Sequence, residues 1–239
     1  MKSLNGFSGL HGGLATALLL RHMRAHVPPD RQLVSLSARF LRPLGSPISI
    51  SSELVRNGST ATLTQGAAVS EGKVGVDAHA VFGGRSGGFR EFATELPVSI
   101  TSRDESEVFV VPPEFVPISQ RMEVRPATSE LPYSGAKDPV LCAWIHLREE
   151  VVSADERLLI LVDALAPSYA AVLGELHMVP TVEMSVQLSV AAYRTDFDWV
   201  LVRAETTGAD GGGWVRELVD VWSEDGSHLA SCSQLRVVR

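Results

Sequence analysis

Cysteine is scarce in this chain. Cys142 and Cys232 are its only two, and each lies inside a strand-like run. Two isolated cysteines do not make a disulfide framework. They fit buried thiols in a reducing compartment, so a cytoplasmic location is expected. Excess positive charge is missing as well. Lys and Arg number 21 against 28 Asp and Glu, a formal charge of -7. Phosphate backbones are gripped by clustered cations, so no nucleic-acid partner is expected. A small phosphorylated ligand stays open, because a few local cations suffice for it.

Long apolar runs are absent too. Nothing approaches the roughly 18 residues of a membrane span, so none is expected. The apolar stretch 14–20 is short and helix-spaced. Arg21, His22, Met23 and Arg24 follow it, not a small-residue cleavage site, which argues against a secretory signal. Metal-ligand sets are lacking. His22 and His26 stand four apart, but no nearby acid or cysteine completes a zinc site. The glycines at 208 and 211–213 lack a following Lys-Ser or Lys-Thr and sit between strands, so they are not a phosphate loop. No cofactor and no metal are expected.

What is present is core material. Apolar residues make up 45% of 239 positions, enough for one large domain or two small ones. Residues 7–13 read as a flexible turn. Ala15, Leu18, Leu19 and Met23 then follow helical spacing and predict a buried helix ended by Pro28 and Pro29. Strict alternation through Leu36, Ala38 and Phe40 predicts a half-buried strand. Residues 48–56 and 59–70 read as two strands around the Asn57-Gly58 turn, and 73–82 as a third after Glu71-Gly72. The glycine-rich stretch 83–88 reads as a mobile loop.

The segment 101–139 differs in character. It carries Pro112, Pro113, Pro117, Pro126, Pro132 and Pro139 with little periodicity, and reads as a linker wrapping the surface. Then the first pattern returns. A strand at 140–147 precedes a helix from Ala154 with acids in its first turn, interrupted or restarted at Pro167 and running to Leu173. Residues 181–190 alternate, with Val182, Met184, Val186, Leu188 and Val190 inward. Strands at 199–206, 214–223 and 227–239 follow. Phe40 and Leu188, like Gly72 and Gly226, stand about 150 residues apart, as in a tandem repeat. The expected division is 1–100, 101–139 and 140–239. Each half alone would leave a sheet face or edge open, so the halves should pack as one body.

Particular residues sharpen that pattern. His11-Gly12-Gly13 precedes the first helix, Phe40-Leu41-Arg42-Pro43 closes the alternating strand, and the run Leu54 to Gly58 forms the hairpin. In the second half stand Leu161-Val162-Asp163-Ala164, Pro180-Thr181-Val182 and Ser231-Cys232-Ser233-Gln234. Together these resemble the acyl-CoA thioesterase II family and its thioesterase-like relatives. The resemblance covers nearly the whole chain outside the Pro-rich segment. It implies an α+β class: a tandem, or double, hotdog in which each half is a long helix wrapped by an antiparallel β-sheet.

It also implies an activity and a site. Asp163, Thr181 and Gln234 match the family's catalytic Asp, Thr and Gln, which position a water against the thioester of an acyl-CoA substrate. Of the three, Asp163 alone can take a proton, which makes it the general base. The matching positions in the first half are Gly13, Leu33 and Ala80, none able to do this chemistry. That half is expected to be scaffold and acyl-pocket wall. A homo-oligomer is also expected from the family.

Plainer readings stand beside these. Asp163 is a favoured helix-capping type. Thr181 is an ordinary strand residue. Gln234 could be satisfied by backbone. His11 reads as a solvated turn residue, and Cys232 as a small core residue without a His partner. Arg85, Arg90 and Arg216 are candidates for CoA phosphates. Two other functions compete: a non-catalytic acyl-CoA or lipid binder, and a hotdog hydratase or dehydratase. The latter needs a His beside its carboxylate, and His177 lies beyond the expected helix.

Overall fold

Apolar side chains at helical spacing produce α1, Gly12–Arg24. Alternation produces β1 (Gln32–Phe40), β2 (Ile48–Asn57), β3 (Ala61–Ser70) and β4 (Lys73–Gly83). The second half supplies β5 (Met122–Pro126), β6 (Val140–Leu147), α2 (Ala154–Leu161), β7 (Thr181–Leu188), β8 (Trp199–Ala209), β9 (Trp214–Ser223) and β10 (His228–Val237). The computed structural model describes residues 2–84, 90–148, 151 and 153–239. Most of the loop expected at 83–88, with Arg85, lies outside the described residues.

The ten strands form one antiparallel sheet in the order β2-β3-β4-β1-β7-β10-β9-β8-β6-β5. The halves meet at its centre, where Leu36 of β1 faces Val186 of β7. Outward from that seam the strands run β1, β4, β3, β2 on one side and β7, β10, β9, β8 on the other. The same connection is thus used twice. Register carries the correspondence further: Leu36 faces Ala80, and Met184 faces Gln234. The turn between β3 and β4 puts both Glu71 and Gly72 at positive φ, the backbone a tight hairpin favours.

The helices cover one face of the sheet. Leu19, Leu20 and Met23 of α1 and Leu158, Leu159 and Leu161 of α2 are buried there with Leu36, Phe82, Met184 and Val186. The two helices run antiparallel. Arg21 Nε at the end of α1 donates to Glu156 Oε1 at the start of α2 at 3.1 Å, and Arg24 pairs with Asp155. Acids at a helix start and cations at a helix end each suit their own dipole. At the other end of the pair, a Cβ on Gly13 would lie 2.4 Å from the Leu159 carbonyl oxygen. Glycine there lets the helices touch.

Three expectations change. α1 begins at Gly12, not Ala15, because the supposed flexible turn supplies its first residues. α2 spans 8 residues and is not long. The helix does not resume as α-helix after Pro167; Ser168–Val172 is a 3-10 helix. The backbone tightens before that proline, with Asp163 N–H reaching Ile160 O at 3.3 Å and Ala164 N–H reaching Leu161 O at 3.2 Å.

The Pro-rich segment supplies β5 at the sheet edge beside β6. The stretch before it lies over the outer face. Trp222 Nε1 donates to Thr94 O and Trp144 Nε1 to Thr101 O, both at 3.0 Å. Both indoles sit in a second apolar cluster with Leu201, Leu96 and Ile100. No helix among the described residues is long and apolar enough to cross a membrane.

Candidate active site

Asp163 sits two residues past the end of α2, where the chain leaves the helix. Its side chain is only 12% exposed. Oδ2 accepts the backbone N–H of Gly13 at 2.8 Å. The carboxylate of the second half therefore caps the N-terminus of the first half's helix, at the positive end of that dipole. The capping reading holds, but for α1 and not for the turn after the break. Close approach explains the glycines. A Cβ on Gly12 would stand 2.7 Å from Asp163 Oδ2 and 3.1 Å from the Phe40 ring.

His11 overturns the solvated-turn reading, being 7% exposed. Its Nδ1 accepts from Leu14 N–H at 3.3 Å. Its Nε2 donates to the Asp163 carbonyl oxygen at 2.9 Å and lies 3.6 Å from Oδ2. Sequence reasoning missed this because the contact joins residues 152 apart.

Thr181 opens β7, and Gln234 faces inward from β10, the adjacent strand. Thr181 Oγ1 donates to Gln234 Oε1 at 2.8 Å. Gln234 Nε2 points at the Val162 carbonyl oxygen, 3.5 Å away. Val162 is the neighbour of Asp163. The amide is 3% exposed, so burial demands such partners. Asp163, Thr181 and Gln234 thus come together, although Gln234 reaches the backbone beside Asp163 and not its carboxylate. Gly13 and Ala80 lie in the first half as expected, and Gly13 proves to touch Asp163.

Two charged residues escaped the sequence reading. Arg236 and Glu217 are 5% and 2% exposed. Arg236 Nε donates to Glu217 Oε2 at 2.6 Å, and Arg236 Nη2 lies 3.9 Å from Asp163 Oδ1. The signal was available. Arg236 stands two residues from Gln234, hence on its face. Glu217 stands on the inward register of β9 between Val215 and Val219.

Cys232 shares this face and is fully covered. Burial pushes its thiol well above the ordinary range, and the Asp163 carboxylate adds to that. It is no nucleophile at neutral pH. Among the described residues no three His, Cys, Asp or Glu side chains form a metal-binding group. His26 Nε2 donates to Ser52 O at 3.1 Å. A groove of about 680 Å3 on the outer sheet face is lined by Arg39, Asp77, Glu183 and Arg216 among others. Arg216 therefore opens away from Asp163, and Arg90 stacks on the Phe92 ring at 4.7 Å.

A carboxylate, a threonine and an amide thus gather where the helix ends meet the sheet. Family models define the class of the chain, the acyl-CoA thioesterases. Residues 3–83 match the acyl-CoA thioesterase N-terminal domain, and residues 97–238 match the acyl-CoA thioesterase C-terminal domain. The chain belongs to the acyl-CoA thioesterase family and is a thioester hydrolase. No curated protein matches it. Solved structures share its fold. A conserved hot dog fold protein of unknown function from Alicyclobacillus acidocaldarius superposes with a TM-score of 0.90 at 23% identity, over 100% of this chain and 90% of that one. An acyl-CoA thioesterase II from Mycobacterium marinum gives 0.73 at 19%, over 97% and 91%. The dehydratase domain of RzxB from Pseudomonas fluorescens gives 0.53 at 12%, over 95% and 84%.

Proposed function

We propose that the chain hydrolyses acyl-CoA to free acid and CoA, with Asp163 as general base. A thioester is already an activated acyl group. A positioned water suffices, and no covalent enzyme intermediate is needed. Asp163 Oδ1 takes one proton of that water. Gln234 Oε1 accepts Thr181 with one lone pair and offers the other to the water's second O–H. Thr181 then acts by fixing Gln234. The single observation behind this reading is the run of contacts from Thr181 through Gln234 to the backbone beside Asp163. Acyl substrates are expected to be apolar, because the buried faces of helices and sheet offer apolar walls.

The architecture we favour is a tandem hotdog. Residues 1–100 are the scaffold half, 101–139 the linking segment and 140–239 the half carrying the three site residues. The first half still reaches the site, through the N–H of Gly13. Two buried free thiols suit a reducing compartment, hence the cytoplasm. A homo-oligomer acting in fatty acid metabolism completes the reading.

His11 beside Asp163 gives the dehydratase reading one observation in its favour, since a His and a carboxylate make an acid–base pair. Both ring nitrogens are engaged, one by Leu14 and one by the Asp163 carbonyl. Neither is free to carry a substrate proton, so hydrolysis is preferred.

The test is thiol release from a panel of acyl-CoAs by wild type, Asp163→Asn and Gln234→Ala. Hydrolysis that survives both substitutions would sink the assigned site. Binding without turnover at every chain length would favour a non-catalytic acyl-CoA or lipid binder, and hydration of an enoyl-CoA the dehydratase class.

A further inference from the structure

The pair Arg236–Glu217 is costly to bury and sits beside the reaction. Removing two charges from water can outweigh their mutual attraction, so burial alone is weak grounds for a stabilising role. The contacts are uneven. Glu217 holds Arg236 at 2.6 Å, whereas Asp163 Oδ1 stands 3.9 Å away. Glu217 is itself fixed, because its Oε1 accepts the Ser168 N–H at 2.5 Å from the start of the 3-10 helix. Arg236 Nη1 also points to Val179 O at 3.5 Å.

The other groups facing Asp163 differ in kind. His11, on the α1 side, carries a lone pair on Nδ1 because that atom accepts from Leu14. Cys232, on β10, keeps its proton. Gly13 offers a backbone N–H. Arg236 is therefore the fixed full cation facing the carboxylate among the described residues. Closed into a fork-to-fork pair, it would occupy both carboxylate oxygens and exclude the water.

We propose that Arg236 is a positioning residue for the hydrolysis: Glu217 draws its guanidinium back so that it faces Asp163 Oδ1 without capturing the carboxylate. Glu217 acts as the tether, and the two work as one device. This rests on Asp163 being the base.

The experiment follows kcat/KM for decanoyl-CoA by loss of thioester absorbance between about pH 4 and pH 8. Arg236→Met should move the acid limb up by about one unit or more, as loss of an opposite charge within about 4–6 Å does. Glu217→Gln frees the guanidinium to close on Asp163. It should move the limb down and lower kcat on the plateau by about tenfold. Arg236→Lys, which keeps the charge, should stay near the wild-type limb. A purely structural pair would lower activity with the limb in place in every variant, and that result overturns the proposal. So do shifts of both variants in one direction. If Arg236→Met does not fold, the limb of Glu217→Gln decides alone. Asp163→Asn separates the two ideas. If it stays active, the base assignment falls. If it is inactive and no limb moves, only the role of Arg236 and Glu217 falls.

Discussion

Gly13, in the first turn of α1, donates its backbone N–H to Asp163 Oδ2 at 2.8 Å, across 150 residues of sequence. The bond ties a helix of one half to a carboxylate of the other. Whatever moves α1 relative to α2 therefore moves the carboxylate.

Alanine at the two glycines should separate packing from chemistry. A Cβ on Gly13 meets backbone, 2.4 Å from Leu159 O and 2.9 Å from Ile160 Cα. The helices must part, so Gly13→Ala should lose about 1–3 kcal/mol of stability, the usual penalty of overpacking. A Cβ on Gly12 meets a side chain, Asp163 Oδ2, at 2.7 Å. Gly12→Ala should cost less in urea midpoint yet lower kcat at least as much. Equal stability losses with unequal activity in the reverse order would contradict this.

Thr181 and Gln234 should behave as one unit. If Thr181 acts through Gln234, removing the amide already removes its effect. Thr181→Val should lower kcat by about tenfold and Gln234→Ala by about a hundredfold, within the usual range for groups that position a reacting proton. The double variant should match Gln234→Ala alone. A thousandfold loss in the double variant would instead place the Thr181 hydroxyl on the water independently.

Legibility from sequence divides along a physical line. Period-two alternation reports which face a residue occupies, so Gln234 shares a face with Ala230 and Cys232, and its match to Ala80 is a correspondence that the register repeats. Helical spacing likewise found the buried side of α1. Neither period reports which helix end meets which. The antiparallel contact of α1 and α2, and with it the meeting of His11, Gly12 and Gly13 with Asp163, depends on how the halves close. Alternation puts both Glu217 and Arg236 on the inward face, but it does not report that they meet diagonally across β9 and β10. Pro167 signals a break, but α2 ends well before it, at Leu161. Nor does a proline say that the following turn is 3-10 helix, as Ser168–Val172 is.

The two thiols should be inert in the folded protein. Burial pushes Cys142 up to about 12 and Cys232 well above its ordinary value. Thiolate, not thiol, is the nucleophile, and access is also blocked. Iodoacetamide at mildly alkaline pH should leave intact mass and hydrolytic activity unchanged, while both cysteines label in urea. Labelling of Cys232 in the native state would mean that the inner face near Gln234 opens to solvent.

The Arg24–Asp155 pair predicts a pH dependence of stability. Asp155 is 2% exposed. Burial raises its carboxyl above the ordinary 3.8, and Arg24 pulls it part of the way back. A raised acid binds its proton more tightly in the folded state. Below 3.8 both folded and unfolded chains are protonated there, and this contribution is fully present. As pH rises past that value the unfolded chain ionises first, and stability falls until the folded carboxyl ionises too. Asp155→Asn should flatten that part of the curve of urea midpoint against pH. Arg24→Met should steepen it and carry the loss to higher pH, because the ionised carboxylate keeps no cation. The gap to wild type should be small near pH 4 and reach about 1–3 kcal/mol at neutral pH, less than for a fully buried pair because the Arg24 side chain is 35% exposed. Arg24 also lies over the Phe82 ring at 4.8 Å. A gap that stays constant with pH would assign its effect to that packing and not to Asp155.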